Sequence, residues 1–514
     1  SFAPTANASV RGIVATNSTV YFTGTFGRVS NNDRYRVAAV SAAGALLPFA
    51  PALDGGRGND VIVSPDGSSI VVGGSFTTTN GSSNPGYGLA KLSTADGSLM
   101  PTGVNGKVRN GGADAAIWSL SSTGDSFYGT GYVYGSGGNL EGTFKANWNS
   151  GDLTWAEDCH GDSYDSYAVD GVVYVATHAH YCGSIVGGFP QSDPWTFYRG
   201  LAFTDSVKRI TPNGLNLGYF EWGGTPAPEL LHFFPQFNTG DASGANQGPW
   251  SVTGNGDYVV FGGEFTRVNN VPQQGLVRFA KKNIAPNQDG PRLGQSSWSP
   301  TAVAIAEGSI RVSWPLNWDR DNEYLTYQVI RNGQTGSPIH SVTARSKPED
   351  WALPGLSFVD RDVVQGQSYT YRIRVLDPMG NVQNSATITA VADGSGQSTS
   401  YSTAVLADAP LNYWPINDTA GTTSYDWAGA SDLTFNGGAT RGVSGALVGQ
   451  TATAGRFPGS NNSFAASTAR VDGPQTFGVE AWFKTTTTTG GKIVGFGNRN
   501  TGTSGSYDRH VYMQ

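Results

Sequence analysis

Short apolar runs alternate with turns along the first half of the chain. The run at residues 60–63 (DVIV) leads into the turn at 64–67 (SPDG), and a second apolar run follows at 70–72 (IVV). Runs of this length, bounded by glycine, proline, aspartate and serine, are typical of β-strands. The pattern predicts an all-β fold for this half of the chain.

A six-residue pattern recurs through the same region. Residues 21–26 (YFTGTF), 71–76 (VVGGSF) and 260–265 (VFGGEF) are clear copies, and 127–132 (FYGTGY) and 174–179 (YVATHA) are looser ones. Repeats that each hold about four short strands are typical of β-propeller blades. We predict a propeller of about five blades over residues 1–282, with a sixth blade or a long insertion between residues 177 and 263. The alternatives are a solenoid or two sandwiches.

The strand pattern changes after a stretch rich in proline, glycine and asparagine. Residues 310–314 (IRVSW), 325–331 (LTYQVIR) and 369–375 (YTYRIRV) alternate apolar and polar positions. This alternation indicates antiparallel strands with one buried face. Residues 297–392 resemble a fibronectin type III domain through the early tryptophan and the late Tyr-x-Tyr strand, and the resemblance implies a sandwich that acts as a spacer. The flanking segments 283–296 and 393–401 are predicted to be linkers.

The last part of the chain, residues 402–514, resembles a laminin-G-like (concanavalin A-like) jelly roll. The resemblance rests on residues 413–418 (YWPIND), on Asp426 and Trp427, and on residues 479–514. It implies lectin-like binding and gives weight to calcium as a cofactor. The domain is expected to be incomplete, with an open strand edge that allows self-association. Residues 1–282 resemble propeller repeats of secreted actinobacterial surface proteins.

Composition narrows the class of partner. The chain has 71 glycines among 514 residues, 14% charged residues and a formal net charge of −7. Without a basic patch, nucleic acid is not expected to be a partner. No apolar run reaches the roughly 20 residues that span a bilayer. We expect a secreted or cell-surface protein, of bacterial origin.

The two cysteines, Cys159 and Cys182, are either a disulfide or two buried thiols. An extracellular location favours the disulfide, because such bonds persist in oxidising surroundings.

Several metal-ligating residue types cluster around these cysteines. His178 and His180 are two residues apart and would share one face of a strand, and Asp158 and Asp162 precede them. A His-x-His pair with carboxylates is a candidate site for zinc or another transition metal. The alternative is a polar loop whose histidines are hydrogen-bonded within the protein.

Calcium has two candidate sites. Asp162 with Asp165, and Asp319 with Asp321, offer oxygen ligands close together in sequence. Neither run has the full spacing of an EF-hand loop, and acidic turns between strands are common without an ion.

Aromatic residues of the fourth repeat are candidates for stacking on sugar rings. They either line a cleft or belong to the core, and they are Trp155, Trp195, Tyr198, Trp222, Phe233 and Phe234.

These features favour a modular extracellular protein that binds a glycan or a cell-surface glycoprotein. A propeller glycoside hydrolase with appended binding modules is the first alternative, although no carboxylate pair stands out in the sequence. A structural component of a surface layer or appendage is the second. No catalytic motif of the Gly-x-Ser-x-Gly, His-Glu-x-x-His or Walker type occurs.

Overall fold

A computed structural model describes residues 2–215, 218–281, 283–284, 289–347, 355–419, 421–460, 462–469, 471, 473–474 and 476–514. The protein is almost entirely β-structure and divides into two compact units. One unit holds residues 1–287, and the other holds the described residues from 289 onwards.

The first unit is the β-propeller, and its repeats form five antiparallel sheets, which are the blades. Each blade begins with its innermost strand. The strands are Val10–Ala15, Thr19–Gly24 and Val37–Ser41 in blade 1; Gly58–Val63, Ser69–Gly74, Leu89–Ser93 and Leu99–Met100 in blade 2; Ala115–Thr123, Ser126–Val133, Thr143–Asn147 and Leu153–Glu157 in blade 3; Ser163–Val169, Val172–Ala179 and Tyr198–Thr204 in blade 4; and Pro249–Gly254, Tyr258–Gly263 and Leu276–Ala280 in blade 5.

Smaller elements connect these strands. They are a 3-10 turn at Gly103–Gly106 and the two-residue pairings of Arg28–Val29 with Asn32–Asp33, Leu53–Asp54 with Thr78–Thr79, Arg209–Ile210 with Pro226–Ala227, and Arg267–Val268 with Val271–Pro272. Between blades 4 and 5, the described residues contain only the pairing of Arg209–Ile210 with Pro226–Ala227 and single bridges. The long interval in the repeat is therefore an insertion and not a sixth blade.

The glycines of the repeat have a steric cause. A Cβ on Gly24 would lie 2.0 Å from the carbonyl oxygen of Ser9, and one on Gly74 would lie 2.1 Å from that of Arg57. On Gly263 it would lie 2.2 Å from the Gly248 oxygen. The second strand of a blade thus passes too close to the start of the first for any side chain to fit.

The innermost strand of every blade carries a β-bulge near its start. The register shifts lie between Val10 and Gly12, Gly58 and Asp60, Ile117 and Leu120, Ser163 and Asp165, and Pro249 and Ser251. A bulge re-aims one side chain out of the regular alternation. We call the five equivalent residues the axial positions: Arg11, Asn59, Trp118, Tyr164 and Trp250.

Two half-buried aspartates join the innermost strands. Asp60 accepts hydrogen bonds from the backbone amide of Leu120 at 2.8 Å and from the hydroxyl of Ser119 at 3.3 Å. Asp165 accepts from the same Ser119 hydroxyl at 2.8 Å. Asp165 also accepts from the Ser251 hydroxyl at 2.7 Å and the Val252 amide at 3.0 Å. Blades 2 to 5 are therefore tied together along their inner edge.

The fibronectin type III-like sandwich is the first part of the second unit. Its strands form two sheets, Thr301–Ala306, Ser309–Pro315 and Gly355–Asp360 in one, and Tyr324–Arg331, His340–Arg345, Ser368–Leu376, Val382–Asn384 and Ile388–Val391 in the other. Between them lies a core that contains Trp298, Trp314, Tyr327 and Tyr371, all at most 2% exposed. The alternating pattern of the sequence is thus realised as one buried face per sheet.

The remaining residues form one helix and three small sheets. Their bounds are Ser400–Ala407 for the helix, then Thr423–Ser424, Leu433–Asn436 and Phe464–Ser467, then Thr440–Ser444 and Thr453–Arg456, then Gly491–Gly497 and Tyr507–Met513. The laminin-G-like jelly roll stays a prediction for this segment.

The segment between the sandwich and these sheets is packed, which differs from the flexible linker that its composition predicts. A Cβ on Gly396 would lie 2.3 Å from the carbonyl oxygen of Ile305 and 2.8 Å from the Trp427 ring. Glycine is needed here for close approach, not for flexibility. The predicted linker at 283–296 lies partly outside the described residues. None of the helices in the described part of the chain has the length and apolarity required to cross a bilayer.

Candidate ligand-binding face

Three of the axial positions bring aromatic rings together at one end of the propeller axis. The Trp118 and Trp250 rings are stacked, with centroids 5.8 Å apart. Tyr164 completes the cluster, 4.4 Å from the Trp250 centroid and 6.0 Å from that of Trp118. These residues come from blades 3, 4 and 5, so the contact between them exists only because the bulges aim the side chains inward.

A chain of ring contacts continues outward over blade 4. The rings of Tyr164 and His178 are 5.8 Å apart, those of His178 and Phe197 are 5.7 Å apart, and those of Phe197 and His180 are 5.8 Å apart. His180 is stacked on Trp195 at 4.1 Å. We call this series of rings, with the axial cluster, the aromatic ladder.

The outer end of the aromatic ladder borders a cavity. His160 is stacked on Tyr219 at 3.9 Å and lies 5.2 Å from the Tyr181 ring. The cavity has a volume of about 610 Å³ and is lined by Tyr181, Gln191, Gly218 and Tyr219. Trp195, Phe197 and Tyr219 keep 49%, 39% and 38% of their surface exposed, so the ladder offers free aromatic faces.

Buried acids lie around this outer end. Burial and the charge of Asp162 raise the pKa of Glu141 to about 7. Burial also raises the pKa of Asp158 well above its ordinary value, and one oxygen of Asp158 accepts from the Glu141 backbone amide at 2.8 Å. The face therefore holds carboxyl groups that are protonated more readily than exposed ones.

The histidines of the face are held in their neutral forms. Burial and the neighbouring His180 lower the pKa of His160 to about 4, and burial lowers the pKa of His180. His160 lies 3.4 Å from Asp158. Burial raises the pKa of that acid and lowers the pKa of this base, so it disfavours the charged form of both groups in this contact.

The predicted transition-metal site is not assembled. Both ring nitrogens of His178 are engaged: Nδ1 lies 2.8 Å from the Tyr164 hydroxyl and 3.0 Å from Oε1 of Gln247, and Nε2 accepts from the Asp162 amide at 3.2 Å. His180 lies beyond the end of its strand, so the His-x-His alternation does not apply to it.

Within the described residues, the converging group of possible metal ligands is Glu157 with Cys159 and Cys182. The two sulfur atoms are bonded to each other in a disulfide, so they are not thiolate ligands. The bond fastens the loop that carries His160 to the segment that carries Tyr181.

Calcium stays a prediction. The oxygens of Asp165 are occupied by amide and hydroxyl donors, as described above, and these donors take the place of a cation. Asp319 is buried in the sandwich, and its Oδ1 accepts from the Asp321 amide at 3.2 Å.

Several of the proposed stacking residues belong to the core. Trp155 is 0% exposed, and its indole donates to the carbonyl of Asp205 at 2.9 Å. Trp222 is buried, with its indole bonded to the Asn139 carbonyl at 3.0 Å. Tyr198 packs on Phe189 with 4.3 Å between centroids. Trp155 and Trp222 are therefore core residues, as the alternative interpretation held, and half-buried Tyr198 packs against the core. Of the six proposed stacking residues, Trp195 alone lies on the aromatic ladder. Phe233 and Phe234 pack in or against the hydrophobic core.

Sequence reasoning missed Trp118, Tyr164, Trp250, Phe197 and Tyr219. The first three had a detectable signal in the repeat. Ile117, Ser163 and Pro249 pair with the repeat glycine or its equivalent, and Trp118, Tyr164 and Trp250 each directly follow one of these residues. Aligning the first strands of the repeats would have placed them together. Phe197 and Tyr219 lie in loops of the insertion and carry no such signal.

No family model matches the chain. Solved structures that resemble it include the sixth fibronectin type III domain of human fibronectin type III domain containing protein 3, at 18% identity over 22% of this chain and 96% of that domain, with a TM-score of 0.16. The GH74 enzyme of Niastella koreensis matches at 12% identity over 73% of this chain and 56% of its own length, with a TM-score of 0.30.

A further match is the GH43 β-1,3-galactosidase BT0265, at 10% identity over 88% of this chain and 94% of that chain, with a TM-score of 0.23. We draw no functional argument from similarities of this size. The observed sheets and contacts define the protein as a β-propeller joined to a fibronectin type III-like unit, with an aromatic face on blades 3 to 5.

Proposed function

We propose that the protein is an extracellular modular binding protein whose propeller recognises a glycan. The observation that carries this proposal is the aromatic ladder, which runs from the axis to the cavity beside Tyr219. Flat aromatic faces with interspersed polar groups suit sugar rings, which present an apolar C–H face and a rim of hydroxyls. Gln191 and Gln247, which contact the histidines of the ladder, supply amide groups for that rim.

Other parts of the chain support an extracellular role. The disulfide between Cys159 and Cys182 is of a kind that persists outside the reducing cytosol. The fibronectin type III-like unit serves as a spacer, and residues 402–514 would add a second, lectin-like contact with a cell-surface glycoprotein. Calcium is proposed only for that second contact.

The test is a glycan array followed by titration calorimetry on the best ligand. Trp195→Ala and Phe197→Ala remove exposed rings of the ladder, and each should weaken binding about 10-fold or more, as loss of an aromatic contact at a binding hot spot does. Tyr324→Ala removes an exposed ring of the sandwich and should have no effect. Equal affinity in all variants would place the glycan elsewhere and contradict the proposal.

A glycoside hydrolase is the second candidate, and the raised pKa of Glu141 favours it. In that case protonated Glu141 gives its proton to the leaving glycosidic oxygen while an ionised carboxylate takes one from the attacking water. This candidate rests on one raised pKa, whereas the binding proposal rests on the geometry of the aromatic ladder, and binding is therefore the first candidate. Release of reducing ends that is abolished by Glu141→Gln would reverse this order.

A further inference from the structure

We infer that the axial end of the aromatic ladder selects an acidic glycan, one that carries a carboxylate or a sulfate. This inference rests on the proposed glycan-binding function and names the chemical class of its ligand. Three arginines without a carboxylate partner among the described residues carry the argument: Arg199 beside the aromatic ladder, and Arg57 and Arg11 at the inner edge of blades 2 and 1.

Arg199 lies beside the middle of the ladder. Its guanidinium is 5.7 Å from the Phe197 ring centroid, and a Cβ on Gly248 would be 2.7 Å from its Cδ, which places the side chain two residues from Trp250. Its Nε is buried and has no hydrogen-bond partner. Among the described residues Arg199 makes no ion pair, and its one side-chain hydrogen bond is a long one of 3.5 Å to the Phe197 carbonyl.

Arg57 directly precedes the innermost strand of blade 2 and contacts the axial residue of that blade, Asn59. Its Nε donates to Oδ1 of Asn59 at 2.9 Å, and Nδ2 of Asn59 donates to the Ile117 carbonyl at 2.9 Å. Ile117 directly precedes Trp118, so the amide of Asn59 connects Arg57 to the backbone of the strand that carries Trp118. No carboxylate of the described chain pairs with Arg57.

Arg11 occupies the axial position of blade 1 and is exposed. Burial and the positive charge of Arg57 lower the pKa of Arg11, while Tyr132 raises it. The Tyr132 ring contacts Trp118 at 5.6 Å. The two guanidinium groups thus repel each other, and within the part of the chain that the structure describes neither one forms an ion pair with an acid. An anion bound between them would relieve this repulsion.

Three carboxylates at this end, Asp60, Asp165 and Glu264, accept from neutral donors, and Asp162 accepts from the Tyr164 hydroxyl at 3.4 Å. Asp60 and Asp165 are bonded to amides and hydroxyls of the innermost strands, and burial raises the pKa of both. Glu264 accepts from the Trp250 indole at 3.1 Å, from the Gln247 amide at 3.0 Å and from the amide of Ser243 at 2.7 Å. These acids therefore do not take the place of a ligand anion at the guanidinium groups.

Because the chain has a net charge of −7, this local positive charge favours anion binding at one place over the rest of the surface. The chain as a whole repels polyanions, so an anionic sugar that binds must do so where positive charge is concentrated. Guanidinium groups bind carboxylates and sulfates through paired hydrogen bonds, and the neighbouring rings bind the sugar face. The combination fits an acidic glycan better than a neutral one.

The full chain is tested with an oligogalacturonate, a sulfated dextran of similar length and the parent neutral dextran, by titration calorimetry at low and high salt. At least one acidic probe should bind about 10-fold or more tightly than neutral dextran, with the advantage reduced at high salt because exposed charges are screened. A preference for carboxylate or for sulfate identifies the anion, and either supports the inference.

Arg199→Gln, Arg57→Gln and Arg11→Gln should each lower affinity for the preferred acidic probe about 10-fold, the scale of a charged hydrogen bond, and leave neutral dextran unchanged. Arg199→Lys should retain part of the affinity, which separates charge from folding. Arg209→Gln is the matched control, because Arg209 follows the Thr204 end of its sheet while the ladder lies at the Tyr198 end. Affinities are compared only among variants whose melting temperature equals that of the wild type.

Neutral binding that depends on Trp195, without any gain for acidic probes, would overturn the inference and leave the proposed function in place. Acidic binding that none of the arginine variants weakens would also overturn it. Failure of every probe to bind would contradict both the acidic-glycan inference and the proposed glycan-binding function.

Discussion

At the scale of single residues, hydrogen bonds to Asp60 and Asp165 offset the free-energy cost of partly burying these acids. Each carboxylate receives several hydrogen bonds from the neighbouring innermost strands, and Ser119 is shared between the two. A buried carboxyl group without such donors would be strongly destabilising. The aspartates therefore act as clamps between blades, and they are not spare acids for chemistry at the axis.

Replacing Asp165 with alanine should destabilise the propeller by about 1 to 2 kcal/mol, because the part-buried Val252 amide and the Ser251 hydroxyl lose their acceptor. Urea denaturation followed by tryptophan fluorescence measures the change in the free energy of unfolding. Asp241→Ala, at an exposed carboxylate, is the control and should be near neutral. An equal effect of both variants would refute the clamp.

The stability of the protein should fall as pH rises through the titration of Asp60. Burial raises the pKa of Asp60 from 3.8 to about 6, so the folded protein binds this proton more tightly than the unfolded chain does. The stabilising contribution of the proton is fully present below pH 3.8 and is lost as the pH passes 6. Between pH 4.5 and 7.5 the group accounts for a loss of about 2 kcal/mol.

Asp60→Asn should remove that part of the pH dependence, measured as unfolding free energies of the variant and the wild type at the two pH values. Asp241→Asn provides the comparison. If the Asp60→Asn variant lost stability with pH as steeply as the wild type, the assignment to Asp60 would fail.

The sequence predicted the residue-level site only in part. It singled out the region of Asp158, Asp162, His178 and His180, and left open a metal site or a polar loop whose histidines are hydrogen-bonded within the protein. Hydrogen bonds to Tyr164 and Gln247, far apart in sequence, decide the role of His178, and such partners cannot be seen in a local motif. Trp195 is exposed whereas Trp155 is buried, and this difference depends on tertiary packing that a local sequence pattern does not show.

At the scale of elements, the strands and blades were predictable because local signals agree with the tertiary structure. Repeat glycines, turn residues and alternating patterns each have a steric or hydrophobic cause inside one blade or sheet. The segment at 393–401 was the exception. Its glycine and serine content predicts a flexible linker, whereas Gly394 and Gly396 are there because Ile305, Ala306 and Trp427 come so close.

The disulfide should be present in the purified protein and should stabilise the loop of blade 4. Cys159 and Cys182 are 23 residues apart, and a closed loop of this length is worth about 3 kcal/mol in the chain-entropy account. Intact mass after alkylation, with and without reductant, tests the bond, and thermal unfolding of Cys159→Ala/Cys182→Ala tests its effect. Alkylation of both thiols without reductant would show that the bond is absent.

The contact of the sandwich with the segment that follows it should depend on Arg311. Its guanidinium donates to both carboxylate oxygens of Asp432, at 2.6 and 2.7 Å, and to the Asp426 carbonyl at 2.6 Å. Arg311→Met leaves Asp432 without its partner and should cost about 3 kcal/mol in unfolding free energy.

The double variant Arg311→Met/Asp432→Leu should recover most of that loss, because both charges are then removed. Arg372→Met, at a half-buried position of the same sandwich, is the control. Urea unfolding of the four proteins forms a double-mutant cycle, and additive effects would contradict a coupling between the two residues.

At the scale of the whole molecule, the two compact units suggest separable roles. The propeller contains the complete aromatic ladder, and the described residues from 289 onwards contribute no ring to it. Fold class and blade number were predictable because each repeat reports the same local structure. The ligand face was not, since it arises from side chains of three blades and one insertion.

Residues 1–287, expressed alone, should fold cooperatively and bind the glycan with the affinity of the full chain, because blades packed side by side bury a continuous core within this unit. Circular dichroism on heating and titration calorimetry measure the two properties. A folded unit that fails to bind would assign the ligand to the second unit, and an aggregated product would contradict its independence.

The bulge at the start of each innermost strand gives the propeller a modular recognition surface. One side chain per blade is aimed out of the sheet, while the neighbouring strand residues that carry the core and the aspartate clamps stay in register. Arginine, asparagine, tryptophan, tyrosine and tryptophan fill these positions here. Arg11 is exposed and Trp118 and Trp250 are half-buried, whereas Asn59 and Tyr164 are buried, so exchanges at the first three positions should alter ligand preference without rebuilding the scaffold that presents them.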